Sequence, residues 1–135
     1  MNNMNNTDAI IANTENEATN NAAPVVNPNI NFDDFLKVKM AVGKVLSAEK
    51  LEKSPKLLKL SVDFGETESR QVLSGIAKTF QPEDLIGKSF AFVINLEPRQ
   101  IMGMESQAMI LAASDEEGLV LFSPTRDIAS GSNLG

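Results

Sequence analysis

Residues 95–111 form a link that is unusually polar for its place in the chain. The stretch, NLEPRQIMGMESQAMIL, connects an apolar run at 90–94 with another at 109–113. Its hydrogen-bonding side chains include Asn95, Arg99, Gln100, Glu105 and Ser106. A hairpin turn needs only a few residues, so the length and polarity of this link require a further explanation. Arginine suits phosphate groups, while amides and hydroxyls suit ribose hydroxyls or exposed base edges.

Lysines are concentrated upstream of this link. Residues 37–60 contain seven lysines and two acidic residues, although the whole chain has a net charge of −6. Such a segment would attract a polyanion despite the overall sign. The alternative is that the lysines alternate with apolar residues and only form the solvated face of a sheet.

The composition leaves room for very few enzyme mechanisms. The chain has no histidine and no cysteine, which excludes Ser-His-Asp catalysis, thiol nucleophiles and the usual zinc ligands. The acidic residues 115–117 are interpreted as a solvated turn, because neighbours on a tight turn rarely converge on one ion. We therefore expect no catalytic site, no metal and no cofactor.

The sequence carries no signal for a membrane. It has no run of 18 apolar residues, and its start lacks the basic and apolar regions of a signal peptide. The absence of cysteine is typical of a cytoplasmic protein. We therefore expect a cytoplasmic location and no membrane partner.

Residues 1–31 are predicted to be a disordered tail. They include eleven asparagines, three acidic residues and no basic residue. Few of their side chains are strongly apolar, so the segment cannot bury enough surface to offset the entropy lost on ordering. The folded domain is therefore expected at residues 32–135.

The pattern of residues 32–135 predicts three strands, a short helix, and then two or three strands. A single helical turn is expected at 32–35, and Gly43 is expected to mark a bulge or bend. At 81–87, Pro82 is placed to start a helix and Gly87 to end it. Strands are predicted in VKMAVGKVLSAEKL, LLKLSVDFG, RQVLSGIA, SFAFVINL, QAMILAAS and LVLFSP, with a terminal loop after them.

This order of elements predicts an all-β protein with the OB fold, a five-stranded barrel with a short helix between strands 3 and 4. Closing the barrel hides the edges of the sheet. An open meander with a packed helix is the structural alternative. Phe64, Phe90, Phe92 and Phe122 lie in apolar strand patterns and are expected in the core. Nucleic-acid binders with this fold usually stack bases on aromatic side chains, and because tryptophan and tyrosine are absent, such stacking should be weak here.

Several ordered motifs resemble the tRNA-binding domain family. They are FDDFLKV, VGKVLSAEKLEKSPKLLKLSVDFGE, RQVLSGIA, PEDLIGKSFAFVINLEPRQIMGMESQAMILAAS and LFSP, and they run from Phe32 towards the end of the chain. The family occurs as the C-terminal appendage of bacterial methionyl-tRNA synthetases and as small stand-alone proteins. The chain departs from the family pattern at residues 40–41, at residues 54–55 and at Ala108.

The resemblance also implies a set of contact residues on the tRNA face. They are Lys56, Lys59, Arg70, Gln71, Ser74, Asn95, Arg99, Ser106 and Met109. Several have structural alternatives. The lysines could be a solvated face, and Arg70 could pair with a glutamate of the preceding turn. Asn95 or Ser106 could bond the loop backbone, and Met109 could lie in the core.

The function implied by the resemblance is non-catalytic tRNA binding. The chain would be a stand-alone protein or an auxiliary domain of methionyl-tRNA synthetase, and Met1 with its Asn-rich tail favours a separate protein. Family members often dimerise, so a homodimer is expected, with the synthetase as a further partner. The alternative is a protein-binding chaperone or scaffold of the same fold, which the acidic overall charge fits better.

Overall fold

Eleven short elements make up residues 28–135, the part of the chain that the computed structural model describes. In chain order they are α1 (Phe32–Phe35), β1 (Met40–Leu51), β2 (Ser54–Asp63), β3 (Arg70–Ser74), α2 (Pro82–Leu85), β4 (Ser89–Val93), β5 (Arg99–Ile101), β6 (Met104–Ser106), β7 (Met109–Ile110), β8 (Ala112–Asp115) and β9 (Gly118–Leu121). Both predicted helices are present. The predicted tail, residues 1–31, falls almost wholly outside the described residues.

Five of the strands form one antiparallel sheet in the order β3-β2-β1-β4-β7. The long strand β1 pairs with β4 through its first half and with β2 through its second half. The outer edges then meet, because the Gln107 N–H donates to the Gln71 carbonyl at 2.8 Å and the Leu73 N–H donates to the Ser106 hydroxyl at 3.0 Å. The sheet closes into a barrel, and the OB prediction is confirmed over the open meander.

The core follows from strict alternation on β2. Leu58, Leu60 and Val62 point inward and are almost fully buried. Phe92, on β4 between β1 and β7, packs edge-to-face on Phe64 with ring centroids 5.1 Å apart. This geometry is the one that aromatic pairs prefer.

Phe122 is the exception among the four phenylalanines expected in the core. Its side chain is 49% exposed, so that prediction was wrong. Phe122 follows β9, which pairs only with β8 in a separate two-stranded hairpin. The backbone there still contacts the barrel, because the Ala91 N–H donates to the Phe122 carbonyl at 3.0 Å.

Gly43 does not mark a bulge, although one was predicted there. The irregularities of β1 lie between Val45 and Ser47 and between Lys50 and Leu51, whereas Gly43 pairs regularly with Phe90. The close approach of other side chains explains the glycine: a Cβ at this position would lie 2.5 Å from Cε1 of Phe64.

The polar link contains a hairpin where only a long loop was predicted. Strand β5 pairs with β6, and the turn between them consists of Met102 and Gly103. Both residues have positive φ, 55° and 78°, which is the signature of the tightest hairpin turns. The sequence lacks the usual Asn-Gly signal, because Met102 occupies the position where asparagine would indicate such a turn.

The C-terminal segment is more ordered than the predicted terminal loop. The Val42 N–H donates to the Ser132 carbonyl at 2.9 Å, and the Leu134 N–H donates to the Met40 carbonyl at 3.0 Å. The C-terminal segment thus supplies hydrogen-bond partners to the first residues of β1, which do not pair with β2. The end of the chain thus completes the sheet at that corner.

Candidate nucleic-acid interface

Four of the nine predicted contact residues line one small cleft. Ser74, Arg99, Ser106 and Met109 surround a space of about 80 Å³ between β3 and the β5–β6 hairpin. The closing of the barrel creates this space, because it brings the hairpin next to β3. We call it the β3 cleft. The predicted grouping of these four residues from distant parts of the chain therefore has a structural basis.

Of these four residues, Arg99 and Met109 are exposed, and the cleft is also lined by the exposed Leu96 and Glu97. The side chain of Arg99 makes no ion pair or hydrogen bond within residues 28–135. Met109 is 44% exposed, so the alternative that places it in the core does not hold. A free guanidinium beside an exposed thioether provides a phosphate ligand next to an apolar contact.

Ser106 has a structural role in the wall of the cleft. It is a buried polar residue, 6% exposed. Its hydroxyl accepts the Leu73 N–H and donates to the Ala108 carbonyl at 3.2 Å. The hydroxyl proton is therefore used by the fold, and the predicted tRNA contact of Ser106 stays a prediction.

Gln71 joins β3 to the segment after the hairpin. Its side-chain amide donates to the Glu105 carbonyl at 2.9 Å, and its own N–H donates to the side-chain oxygen of Gln107 at 2.8 Å. These bonds supplement the backbone bond that closes the barrel. Gln107 was not among the predicted residues, since only the tertiary fold brings it to β3.

Asn95 clamps the segment that precedes β1. Its side-chain oxygen accepts the Lys39 N–H at 2.8 Å, and its amide donates to the Lys37 carbonyl at 2.6 Å. The predicted alternative, a bond to its own loop, is replaced by bonds to a segment more than 50 residues away. Asn95 thereby attaches the polar link to the start of the domain.

Arg70 is the first residue of β3, and its guanidinium forms hydrogen bonds within the fold. It donates to both carboxylate oxygens of Glu66, at 2.8 and 2.7 Å, and to the carbonyls of Ile94 and Gln107, at 2.6 and 3.2 Å. It also lies 5.5 Å from the ring centre of Phe64. Of the two predicted partners, Glu66 is the one that the structure provides. The hydrogen bond from Arg70 holds the pKa of Glu66 below its ordinary value.

Lys56 and Lys59 lie on β2, the strand beside β3. Lys59 forms an ion pair with Glu49 at 3.4 Å, whereas the Lys56 side chain has no partner among residues 28–135. The Ala77 N–H donates to the Lys56 carbonyl at 3.0 Å, which places Lys78 near Lys56. The sequence did not predict that Lys78 lies near Lys56, because one long-range backbone hydrogen bond brings the two residues together.

Several known proteins resemble this chain. Residues 40–133 match the family model described as "Putative tRNA binding domain". The methionine–tRNA ligase of Helicobacter pylori is 46% identical over 111 residues, which are 82% of this chain and 17% of the ligase. The corresponding ligase of Methanococcus aeolicus is 50% identical over 105 residues, which are 78% of this chain and 15% of the ligase. The chain thus spans about a sixth of the length of these ligases.

Two solved structures share the fold. The MetRS-related protein of Pyrococcus horikoshii superposes with a TM-score of 0.75 at 40% identity, covering 81% of this chain and 100% of that one. The chaperone CsaA of Bacillus anthracis superposes with a TM-score of 0.72 at 30% identity, covering 80% of this chain and 100% of that one. No helix within residues 28–135 has the length and apolar character needed to cross a bilayer. With the family model covering residues 40–133, this chain belongs to the tRNA-binding domain family.

Proposed function

We propose that this chain binds tRNA and performs no chemistry on it. The observation that carries the proposal is the β3 cleft, where Arg99 has no partner in the described part of the chain and lies beside the exposed Met109. Lys56 supplies a second free cation on the strand next to β3. Lysine and arginine bind phosphates without reading sequence.

The type of recognition follows from the side chains that are missing. Without tryptophan or tyrosine, and with Phe64, Phe90 and Phe92 buried, the barrel has few platforms for stacked bases. We therefore propose that it recognises the shape of folded tRNA through phosphates and ribose hydroxyls. It would act in the cytoplasm, as a stand-alone protein or as an auxiliary domain of methionyl-tRNA synthetase.

The test is binding of total tRNA to a double charge reversal, Lys56→Glu with Arg99→Glu. We expect affinity at low salt to fall by about tenfold or more, because two phosphate ligands become repulsive. Neither side chain has a partner within residues 28–135, so the fold should be unaffected. Filter binding at two salt concentrations measures the effect, and circular dichroism checks the fold.

The matched control is the double variant Lys50→Glu with Lys53→Glu. It changes the net charge by the same amount, and neither residue lines the β3 cleft. We expect tRNA affinity to fall by less than about threefold. If both double variants bind equally well, the β3 cleft is not the tRNA site.

We also propose that the chain forms a homodimer. Support comes from exposed apolar side chains of α1 and its neighbours, with Phe32 at 70%, Leu36 at 52% and Val38 at 44% exposure. Several exposed apolar side chains within one short segment are typical of an interaction site. Sedimentation equilibrium should give twice the chain mass, and replacing Phe32 and Leu36 with serine should shift the species towards monomer. A wild-type chain that stays monomeric at every concentration contradicts this proposal.

A second candidate function is binding of unfolded polypeptide. It is favoured by the similarity to a solved CsaA chaperone at 30% identity and by the net charge of −6. Pull-down from lysate with and without RNase treatment separates the two. Partners that are lost with RNase support tRNA binding, and partners that are retained, without tRNA binding by the purified chain, reverse the order of the two candidates.

A further inference from the structure

A second surface lies at the opposite end of β4 from the polar link. An open groove of about 900 Å³ runs between α2, the first residues of β4 and the loop 123–128. We call it the α2 groove. It is much larger than the β3 cleft, and none of the nine predicted contact residues lines it.

Three basic side chains line the α2 groove: Lys44, Lys88 and Arg126. None of them pairs with a carboxylate within residues 28–135. Arg126 donates only to the backbone carbonyl of Asp127, at 2.9 Å. Lys56 and Arg99 are likewise unpaired within these residues, whereas Lys37, Lys59 and Arg70 have acidic partners.

The backbone holds two of these cations near each other. Lys44 is the cross-strand partner of Ser89 in the β1–β4 ladder. The Val45 N–H donates to the Lys88 carbonyl at 2.9 Å, and the Gly87 N–H donates to the Val45 carbonyl at 2.8 Å. The base of each lysine is therefore fixed by the sheet, while its ammonium group remains free to move.

The acidic side chains of the groove compensate only in part. Asp84 and Asp127 also line it. The carboxylate of Asp84 already accepts the Gln81 N–H at 2.8 Å, which caps the start of α2. The lining therefore keeps an excess of positive charge, although the whole chain carries −6.

The rest of the lining suits a sugar–phosphate chain. Hydroxyl groups come from Thr79, Ser89, Ser123 and Thr125, and Phe80 with Phe90 adds an apolar floor. Hydroxyls, lysine and arginine together are the usual ligands of nucleic-acid backbones. A volume of about 900 Å³ exceeds the need of one small anion and accommodates several linked nucleotides.

We propose that the α2 groove binds the sugar–phosphate backbone of a second segment of the same tRNA. This inference rests on the proposed function and extends it. The groove lies at the start of β4, and the polar link begins after the end of β4. Because β4 has five residues that rise about 3.3 Å each, roughly 16 Å separates the two surfaces. A folded tRNA spans more than that distance, so one molecule can contact both surfaces.

The test is a neutralising triple variant of the groove, Lys44→Gln, Lys88→Gln and Arg126→Gln. We expect tRNA affinity at low salt to fall by about tenfold, and the slope of log affinity against log salt to become shallower by about 2–3 units, one for each lost phosphate contact. Filter binding with total tRNA across a salt series measures both quantities.

A charge-matched triple, Lys39→Gln, Lys50→Gln and Lys53→Gln, is the control. It removes the same charge outside the groove and the β3 cleft, so the salt slope should change by less than about one unit. A single Thr125→Asp variant offers a second measurement, since it adds a negative charge inside the groove without removing any cation. We expect it to weaken tRNA binding several-fold.

The outcomes separate this inference from the proposed function. If the groove variants match the control triple while Lys56→Glu with Arg99→Glu still weakens binding, the groove is not a tRNA surface and the proposed function stands. If the wild-type chain fails to bind tRNA, both are overturned. Parallel losses from the groove and cleft variants, with the control unchanged, support both.

Discussion

Replacing Gly43 with alanine is expected to lower the free energy of unfolding by about 3 kcal/mol, at the high end for an overpacked core. The added methyl group would lie 2.5 Å from Cε1 of Phe64 and 2.6 Å from Cγ1 of Val62. Neither neighbour can move easily, because Val62 is fully buried and Phe64 packs against Phe92 and Arg70. Urea unfolding measures the change as a lower midpoint at constant slope.

Gly75→Ala is the matched control for this substitution. No atom lies within 4 Å of a Cβ at Gly75, and its backbone is not in the left-handed region. Its stability should therefore stay within about 0.5 kcal/mol of wild type or rise slightly, because alanine restricts the unfolded chain. If Gly43→Ala unfolds at the same urea concentration as Gly75→Ala, Phe64 does not pack on β1 as described.

Replacing Arg70 with alanine should be about as destabilising, at about 3 kcal/mol. The substitution removes the donors of two backbone carbonyls, those of Ile94 and Gln107. It also removes the cation above the ring of Phe64. Because the Arg70 side chain is only 24% exposed, water replaces these contacts poorly. Urea unfolding at neutral pH provides the measurement.

The matched variant Glu66→Gln removes the ion pair of Arg70 but keeps its hydrogen bonds to the two backbone carbonyls. The side chain of Glu66 is 43% exposed, so losing its charge should cost only about 0–1 kcal/mol. If Glu66→Gln lowers the free energy of unfolding as much as Arg70→Ala does, then the ion pair, and not the hydrogen bonds to the carbonyls of Ile94 and Gln107, provides the stability.

The same pair determines the sign of a pH effect. Arg70 holds the pKa of folded Glu66 below its ordinary value of 4.5. The contribution of ionised Glu66 to the free energy of unfolding is therefore fully present above pH 4.5. It disappears as the pH falls through the lower pKa of the folded state. The stability difference between wild type and Glu66→Gln should shrink in that acidic range, and a difference that grows there contradicts the assignment.

The elements that the sequence predicted well depend on local signals. On β2 the alternation of Leu58, Leu60 and Val62 with polar residues specifies a strand with one buried face. Around α2, the fixed φ of Pro82 suits the first turn, and the positive φ of Gly87, 84°, suits the exit. Such signals need no distant partner, so a single sequence can carry them.

The errors occur where distant residues compete for the same space. Gly43 was predicted to mark a bulge or bend, and the bulge is absent because Gly43 pairs regularly with Phe90. A glycine is needed at position 43 because Phe64, which lies 21 positions further along the chain, packs over it. The β5–β6 hairpin was missed because Met102 adopts a positive φ that its residue type does not indicate.

By itself the sequence determined the class of the protein: an all-β barrel with a helix between strands 3 and 4, no histidine or cysteine chemistry, and family motifs in the polar link. Only the tertiary structure decided which polar residues remain available for a ligand. Arg70, Asn95 and Ser106 have their hydrogen bonds committed to backbone groups far away in the chain, whereas Arg99 and Lys56 are free within the described residues. The physical reason is that backbone N–H and C=O groups left outside the strand ladders need partners, most strongly where they are buried, as at Leu73, and the closing of the barrel determines which side chain provides them.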